Sequence, residues 1–273
     1  MAGIRVGPLR FVRSLARILG GRPHVPAELA GNALLNTIVD RRSVRSFTGR
    51  AVPDAVFSAI LEAGRLAPST VNLQTWSFAT FTQALWRETF GRPLPLGGQR
   101  AVIVMGDVHR VRSVLDAFPR SPLVEYTTAV MNASLAAMNM NIAAEALGVS
   151  SVMLSETGRS GLLDTAYLKE RLALPEGAFP LMTIVFGYRR GLRPPMPPKL
   201  PLTAICFEST YQEADPKMMA DWMAQMVSGY KASHLGSSFD AQLELYRSKI
   251  GRAEAELQTM IFGNSEGTAR GGS

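Results

Sequence analysis

Arg41-Arg42-Ser43-Val44-Arg45-Ser46-Phe47, followed some twenty residues later by Ala67-Pro68-Ser69-Thr70-Val71-Asn72-Leu73-Gln74-Thr75-Trp76-Ser77-Phe78, is the pair of segments on which the reading of this chain turns. The first holds three guanidinium groups within five residues. Left alone these charges repel. Beside a donor hydroxyl they suit a bound polyanion such as phosphate, because planar forks make bidentate, charge-assisted hydrogen bonds. The other reading is a solvated basic face at a helix end. In the second segment a helix ends at a proline, and small polar residues and two carboxamides precede a strand. Such a loop offers N–H groups, hydroxyls and amides to a heteroaromatic ring with alternating donors and acceptors. It also reads as a capped helix-to-strand turn with Trp76 as a core anchor.

Outward from these segments, a helical pattern over Asn32 to Asp40 leads into the arginines. A second helix opens at Pro53, carries Val56, Ile60, Leu61 and Gly64 on one stripe, and must stop before Pro68. Trp76 to Phe81, Ala101 to Met105 and Leu181 to Tyr188 read as strands. Between the last two lies a long helix, Leu123 to Leu147, with Gly148 as its stop. Its many alanines predict close approach of neighbouring backbones and a central, buried position, against its own copy in a dimer. A helix over Gly161 to Leu172 follows.

The proline-rich stretch Arg189 to Pro201 must be an extended connection. After it the pattern predicts a short strand at Thr203 to Phe207 and helices at Pro216 to Lys231 and Phe239 to Phe262. The first of these carries a Met219, Trp222, Met223, Met226 stripe that reads as core packing. The second is expected to pack beside it through Tyr246, Ile250, Leu257 and Ile261. Helices and strands alternate only partly, so the expected class is α+β with a mostly antiparallel sheet. The expected organisation is a basic arm at 1–30 with one helix around Leu9 to Leu19, a main domain at 31–211, a helical extension at 212–262 and a disordered tail at 263–273.

Composition narrows the function. The 273 residues are 47% hydrophobic and 19% charged, an ordinary globular balance. Residues 1–50 contain nine Arg and no Lys against Glu28 and Asp40, which accounts for the whole net charge of +7. Part of that excess is a spaced set, Arg5, Arg10, Arg13, Arg17 and Arg22, which opens a reading as a module contacting an acidic surface, membrane or nucleic acid. Aromatic stacking motifs for nucleic acid are absent, so no nucleic-acid partner is expected and an arm wrapping a dimer is preferred. Cys206 is the only cysteine, so an intrachain disulfide and a cysteine metal cluster are excluded. His24, His109 and His234 lack ligand-like spacing, and no metal is expected. No uninterrupted apolar run suits a signal peptide or a membrane span, and a cytoplasmic protein is expected.

The order and spacing RRSVR-x-F at 41–47 and APS-x-x-N-x-Q-x-W-x-F at 67–78 resemble the FMN-dependent nitroreductase family, which includes flavin reductases and iodotyrosine-deiodinase-like enzymes. The likeness continues through the alanine-rich helix, Leu147-Gly148-Val149, Leu174-Pro175-Glu176-Gly177, Phe186-Gly187-Tyr188 and Lys199-Leu200-Pro201-Leu202, and covers roughly residues 35–211. It implies an interlocked α+β homodimer with FMN at the subunit interface. Arg41, Arg42, Ser43 and Arg45 would hold the flavin phosphate, ribityl chain and pyrimidine edge, with Lys199 completing the phosphate site. Pro68, Ser69, Thr70, Asn72 and Gln74 would reach the flavin from the partner subunit. Leu154, Ser155 and Glu156 would lie near the reactive ring nitrogen.

The implied activity is ping-pong hydride transfer from NADH or NADPH through flavin N5 to a nitroaromatic, quinone or activated alkene. A reductive dehalogenase or flavin-modifying enzyme on the same scaffold is the alternative. No GxGxxG fingerprint is present, which agrees with transient nicotinamide binding on the flavin. No side-chain nucleophile or general base is nominated. Two departures stand out: Thr75 replaces the family's usual proline and is expected to loosen the loop, and Met153 to Ser160 matches no one subgroup.

Overall fold

A strand that is apolar at every position needs cover on both faces, and Ala101 to Met105 is such a strand. The computed structural model describes residues 6–21, 23, 25–119, 121–155, 164–234 and 236–263. Its elements in chain order are α1 (Pro8–Gly20), α2 (Ala33–Asp40), α3 (Asp54–Arg65), β1 (Trp76–Thr82), α4 (Gln83–Phe90), β2 (Arg100–Asp107), α5 (His109–Arg112), α6 (Pro122–Ala146), β3 (Ser150–Leu154), α7 (Thr165–Arg171), β4 (Ala178–Gly187), α8 (Pro216–Ser233) and α9 (Phe239–Phe262). They form two units, a larger one from Glu28–Arg193 with Lys249–Ser273 and a smaller one from Met1–Ala27 with Pro194–Ser248.

The larger unit carries a four-stranded sheet in the order β1-β2-β4-β3, and every neighbouring pair is antiparallel. The period of two along β2 divides its side chains between two cores. Val102 and Val104 join Ile60, Met140, Ile184 and Phe186 on one side. Ala101, Ile103 and Met105 join Trp86, Phe90, Leu168 and Val185 on the other. The β2–β4 register shifts between Val104 and Met105, where Pro180 stands opposite, a residue with no N–H to give a ladder.

Small side chains set how closely α6 lies on the sheet. Ala129, Ala133, Ala136, Ala137 and Ala144 are fully buried. A Cβ at Gly106 of β2 would stand 2.9 Å from the Ala129 Cβ and 3.3 Å from its carbonyl carbon, so only glycine lets these two backbones meet. The predicted close approach is present.

The α+β class and three of the four strand predictions agree with the structure, and several local predictions do not. Thr203 to Phe207 forms no strand: Leu202–Ala204 is a 3-10 turn after Pro201, and no neighbouring strand pairs with it among the described residues. The buried line of α8 is Ala224 and Ser228, with the Met219, Trp222, Met223, Met226 stripe only half-buried. In α9 the buried residues are Ala253 and Met260, while Tyr246 and Ile250 are exposed. Helix α4 was unread because it shows just one apolar pair, Trp86 and Phe90, at i and i+4. Thr82 caps it by accepting the Leu85 N–H at 3.2 Å. The helix predicted from Gly161 is observed from Thr165, and 161–163 fall outside the described residues, as does 264–273 of the tail.

Among the described residues no helix is long and apolar enough to cross a membrane, and no group of three or more His, Cys, Asp or Glu side chains could hold a metal.

Candidate flavin site

The arginine segment begins where α2 ends. The Asn32 side chain caps the helix start, accepting from Leu35 N–H at 3.0 Å, and Arg41 N–H donates to Thr37 O at 3.0 Å to close the last turn. The chain then runs extended. Ser43 bridges to Ser151 of β3 and Phe47 to Arg189 just past β4. Val44 N–H donates to Ser151 O at 3.0 Å and Arg190 N–H to Ser46 O at 2.9 Å. Val44 and Phe47 are buried and pin the segment to the second core. Gly187 is required there, since a Cβ would lie 2.9 Å from the Phe47 ring. This stitching brings Arg42 and Arg189 to one cavity.

That cavity, of about 170 Å³, is lined by Arg42, Val44, Glu145, Gly148, Ser150, Arg189 and Arg193. Arg42 Nη1 donates to Val39 O at 2.6 Å and Arg41 O at 2.9 Å. Its Nε is buried with no hydrogen-bond partner among the described residues. Burial and then the charge of Arg193 hold this guanidinium below its ordinary pKa. Arg193 is paired with Asp40 at 2.8 Å and Glu145 at 3.5 Å. Burial pushes the Glu145 carboxyl above the usual carboxylate range, against the pull of Arg193 and Arg41. Three guanidinium groups therefore share the cavity with one carboxylate. Arg41 and Ser43 are half-buried and Arg45 is exposed.

Arg189 and Arg193 were missed from sequence because their segment was read only as a connection. The signal was available in a second basic cluster, Arg189-Arg190 and Arg193, directly after the strand.

The loop after α3 has a different character. Pro68, Thr70, Val71, Asn72 and Gln74 are exposed and Ser69 is half-buried. Val71, Asn72 and Gln74 have φ of 50°, 57° and 50°, and a β-branched residue in the left-handed region is held there only by its surroundings. Gln74 N–H donates to Ser69 Oγ at 3.0 Å. The N–H and hydroxyl of Thr70 both donate to Asn132 Oδ1, at 3.1 and 3.2 Å. Asn132 Nδ2 donates to Thr75 Oγ1 at 2.8 Å. Thr75 is fully buried, so the replacement of proline ties the loop to α6, contrary to the expected loosening. A cavity of about 520 Å³ adjoins the loop, with Gln74, Trp76, Arg65 and Arg110 in its lining.

The two predicted segments are not joined within one chain: no hydrogen bond links them among the described residues. Asn132, in the middle of α6, and Glu145, at its C-terminal end, mark the two segments' separate positions along the helix, thirteen residues and so about 20 Å apart at 1.5 Å per residue. Leu154 is buried in the second core at the end of β3, Ser155 is exposed, and Glu156 lies outside the described residues. Lys199 is exposed in the extended segment of the smaller unit. On α6, Val124, Met131, Leu135 and Met138 are 58%, 57%, 44% and 38% exposed, a second apolar face at i, i+7, i+11 and i+14.

Comparison with known proteins agrees with this architecture. The chain is 27% identical over 204 residues to the oxygen-insensitive NADPH nitroreductase of Salmonella typhimurium, covering 72% of this chain and 82% of that protein. It is 25% identical over 239 residues to an FMN reductase [NAD(P)H] of Bacillus subtilis, covering 78% and 92%. The solved structure of NfrA2 from B. megaterium has the same fold, with a TM-score of 0.70 at 22% identity over 85% of this chain and 96% of that one. Residues 38–188 match the profile of the Nitroreductase family, and the chain belongs to that family.

Proposed function

We propose that this protein is an FMN-dependent NAD(P)H oxidoreductase that works as a homodimer. The observation that carries the reading is the buried Arg42 Nε, without an acceptor among the described residues, beside a cavity that also holds Arg189 and Arg193. A phosphate monoester brings close to two negative charges and several acceptor oxygens, which answers both the orphaned donor and the excess positive charge. When bound, FMN supplies the redox chemistry, taking hydride from NADH or NADPH and delivering it to a nitroaromatic, quinone or activated alkene.

The chain's own residues then have distinct tasks. Arg41, Arg42 and Ser43 hold the phosphate end, and Arg45 sets positive charge at the pyrimidine edge. Ser69, Thr70, Asn72 and Gln74, with Pro68 shaping the turn, present donors and acceptors to the ring system. The backbone at Leu154 and Ser155 borders the reacting face. The roughly 20 Å between the two segments along α6 supports a site shared by two subunits, each giving one segment. The exposed apolar face of α6 supports the same assembly, since large aliphatic side chains at heptad spacing are otherwise left in water. The relatives' names, NADPH nitroreductase and FMN reductase, support the reaction type. The single cysteine suits the reducing cytoplasm.

Purification with added FMN tests the reading. A yellow protein is expected, its visible absorbance bleached anaerobically by NADH or NADPH and restored by a quinone or nitroaromatic. A colourless chain that takes up no FMN would refute it.

A further inference from the structure

Helix α1 presents two opposed surfaces. At 3.6 residues per turn, Leu9, Phe11, Val12, Leu15, Ala16, Ile18 and Leu19 make one continuous apolar half, and Arg10, Arg13 and Arg17 fall together on the other. Only a narrow strip of that apolar half is covered. Ser14 and Ile18, one turn apart, are buried, and the facing line of α8 is the small pair Ala224 and Ser228. A Cβ at Gly229 would stand 3.2 Å from Ile18 Cδ1. Leu9, Val12 and Leu19 remain 66%, 61% and 75% exposed.

Cations border this exposed stripe on both sides. Arg10 is tied to Asp221 at 2.8 Å. Arg13 and Arg17 line a groove of about 600 Å³ with it and make no hydrogen bond or ion pair among the described residues. On the other flank, Lys231 of α8 stands 5.5 Å from the Phe11 ring centroid. No acidic residue lies in α1.

We propose that α1 is an interfacial anchor that lays Leu9, Val12 and Leu19 into an anionic lipid surface, with Arg13, Arg17 and Lys231 at the level of the headgroups. A helix with a strong apolar face and a basic polar face lies in the membrane plane, gaining from both apolar burial and attraction to anionic lipid. A nucleic acid would engage the arginines yet leave three large aliphatic side chains in water. A second α1 would bring like charges together. An anionic lipid surface satisfies both faces at once.

Co-sedimentation of the full chain with vesicles provides the test, comparing phosphatidylcholine alone with phosphatidylcholine containing phosphatidylglycerol, at low and high salt. Binding to the anionic vesicles at low salt is expected. It should fall about fivefold for each of Arg13→Gln and Arg17→Gln and be lost in the Val12→Asp/Leu19→Asp double variant. These positions are exposed, and circular dichroism checks that the variants stay folded. No binding to anionic vesicles at low salt would overturn the proposal. So would arginine variants that lose binding while the aspartate variant keeps it. An aspartate variant that changes the oligomeric state in sedimentation velocity but leaves vesicle binding intact would equally overturn it.

Discussion

The carboxamide of Asn132, buried in the middle of α6, donates to Thr75 Oγ1 at 2.8 Å while its oxygen accepts both donors of Thr70. One side chain thereby holds three left-handed residues of an exposed loop in place. Replacing Asn132 by Ala should cost about 1–3 kcal/mol, the usual penalty for stranding buried polar partners. Thr75→Val should cost a similar amount, because it leaves the Asn132 amide without an acceptor. Urea denaturation of both single variants and the double variant should give less than the sum of the two effects, since they share one interaction.

Close contact between β2 and α6 depends on Gly106. Gly106→Ala is expected to destabilise the protein by about 1–3 kcal/mol through overpacking, because the neighbours of the added Cβ include the Ala129 backbone and cannot swing away. Thermal unfolding in the absence of flavin measures this. An unchanged midpoint would mean that the helix can lift without cost.

Arg42 is expected to be more sensitive to shape than to charge. Arg42→Lys keeps the cation and loses the planar fork. It should weaken FMN binding tenfold or more, as expected for a charge-assisted hydrogen bond worth about 1.5–3 kcal/mol. Quenching of FMN fluorescence on titration gives the affinity. Wild-type affinity in the variant would remove Arg42 from the phosphate site.

Glu145 gives a pH signature with a definite sign. Its folded-state pKa is raised, chiefly by burial, so the native state holds this proton more tightly than the unfolded chain. Stability from this group is therefore greatest below the ordinary carboxylate range and falls as pH rises through the window up to the raised folded value. Asp40, Arg41, Arg42 and Arg193 act on the same group without reversing the direction. Glu145→Gln should flatten the pH dependence of flavin-free stability in that window and raise stability above it. Chemical denaturation across that range checks both effects.

The outer face of α6 should report on assembly. Leu135→Asp places a charge in the exposed apolar stripe and is expected to convert a dimer into monomers in sedimentation velocity, with loss of bound FMN. A variant that remains dimeric would assign the interface to another surface.

Most elements were legible from local chemistry. Pro53 and Pro68 bracket α3, Gly148 stops α6, and the apolar run at Ala101 to Met105 marks a strand covered on both faces. Both motif segments could be read in the same way, because guanidinium clusters and amide-rich turns keep their chemistry wherever the chain carries them. Helix α4 was not legible, since a single Trp86–Phe90 pair is too short a pattern to separate a helix from a loop. Nor was the irregular course of Thr203 to Phe207, because a β-branched sequence becomes a strand only where another strand pairs with it.

The sequence alone determined the α+β class, the alanine-rich central helix and the residue types available to grip a phosphate and a heteroaromatic ring. The tertiary structure alone decided which groups meet. Pairing of Phe47 with Arg189 carries Arg42, Arg189 and Arg193 to one cavity across nearly 150 residues of chain, and burial opposite Asn132 makes Thr75 a tether. Local preference sets what each residue can do, whereas pairing and burial depend on partners far away along the chain, and no window of sequence contains both.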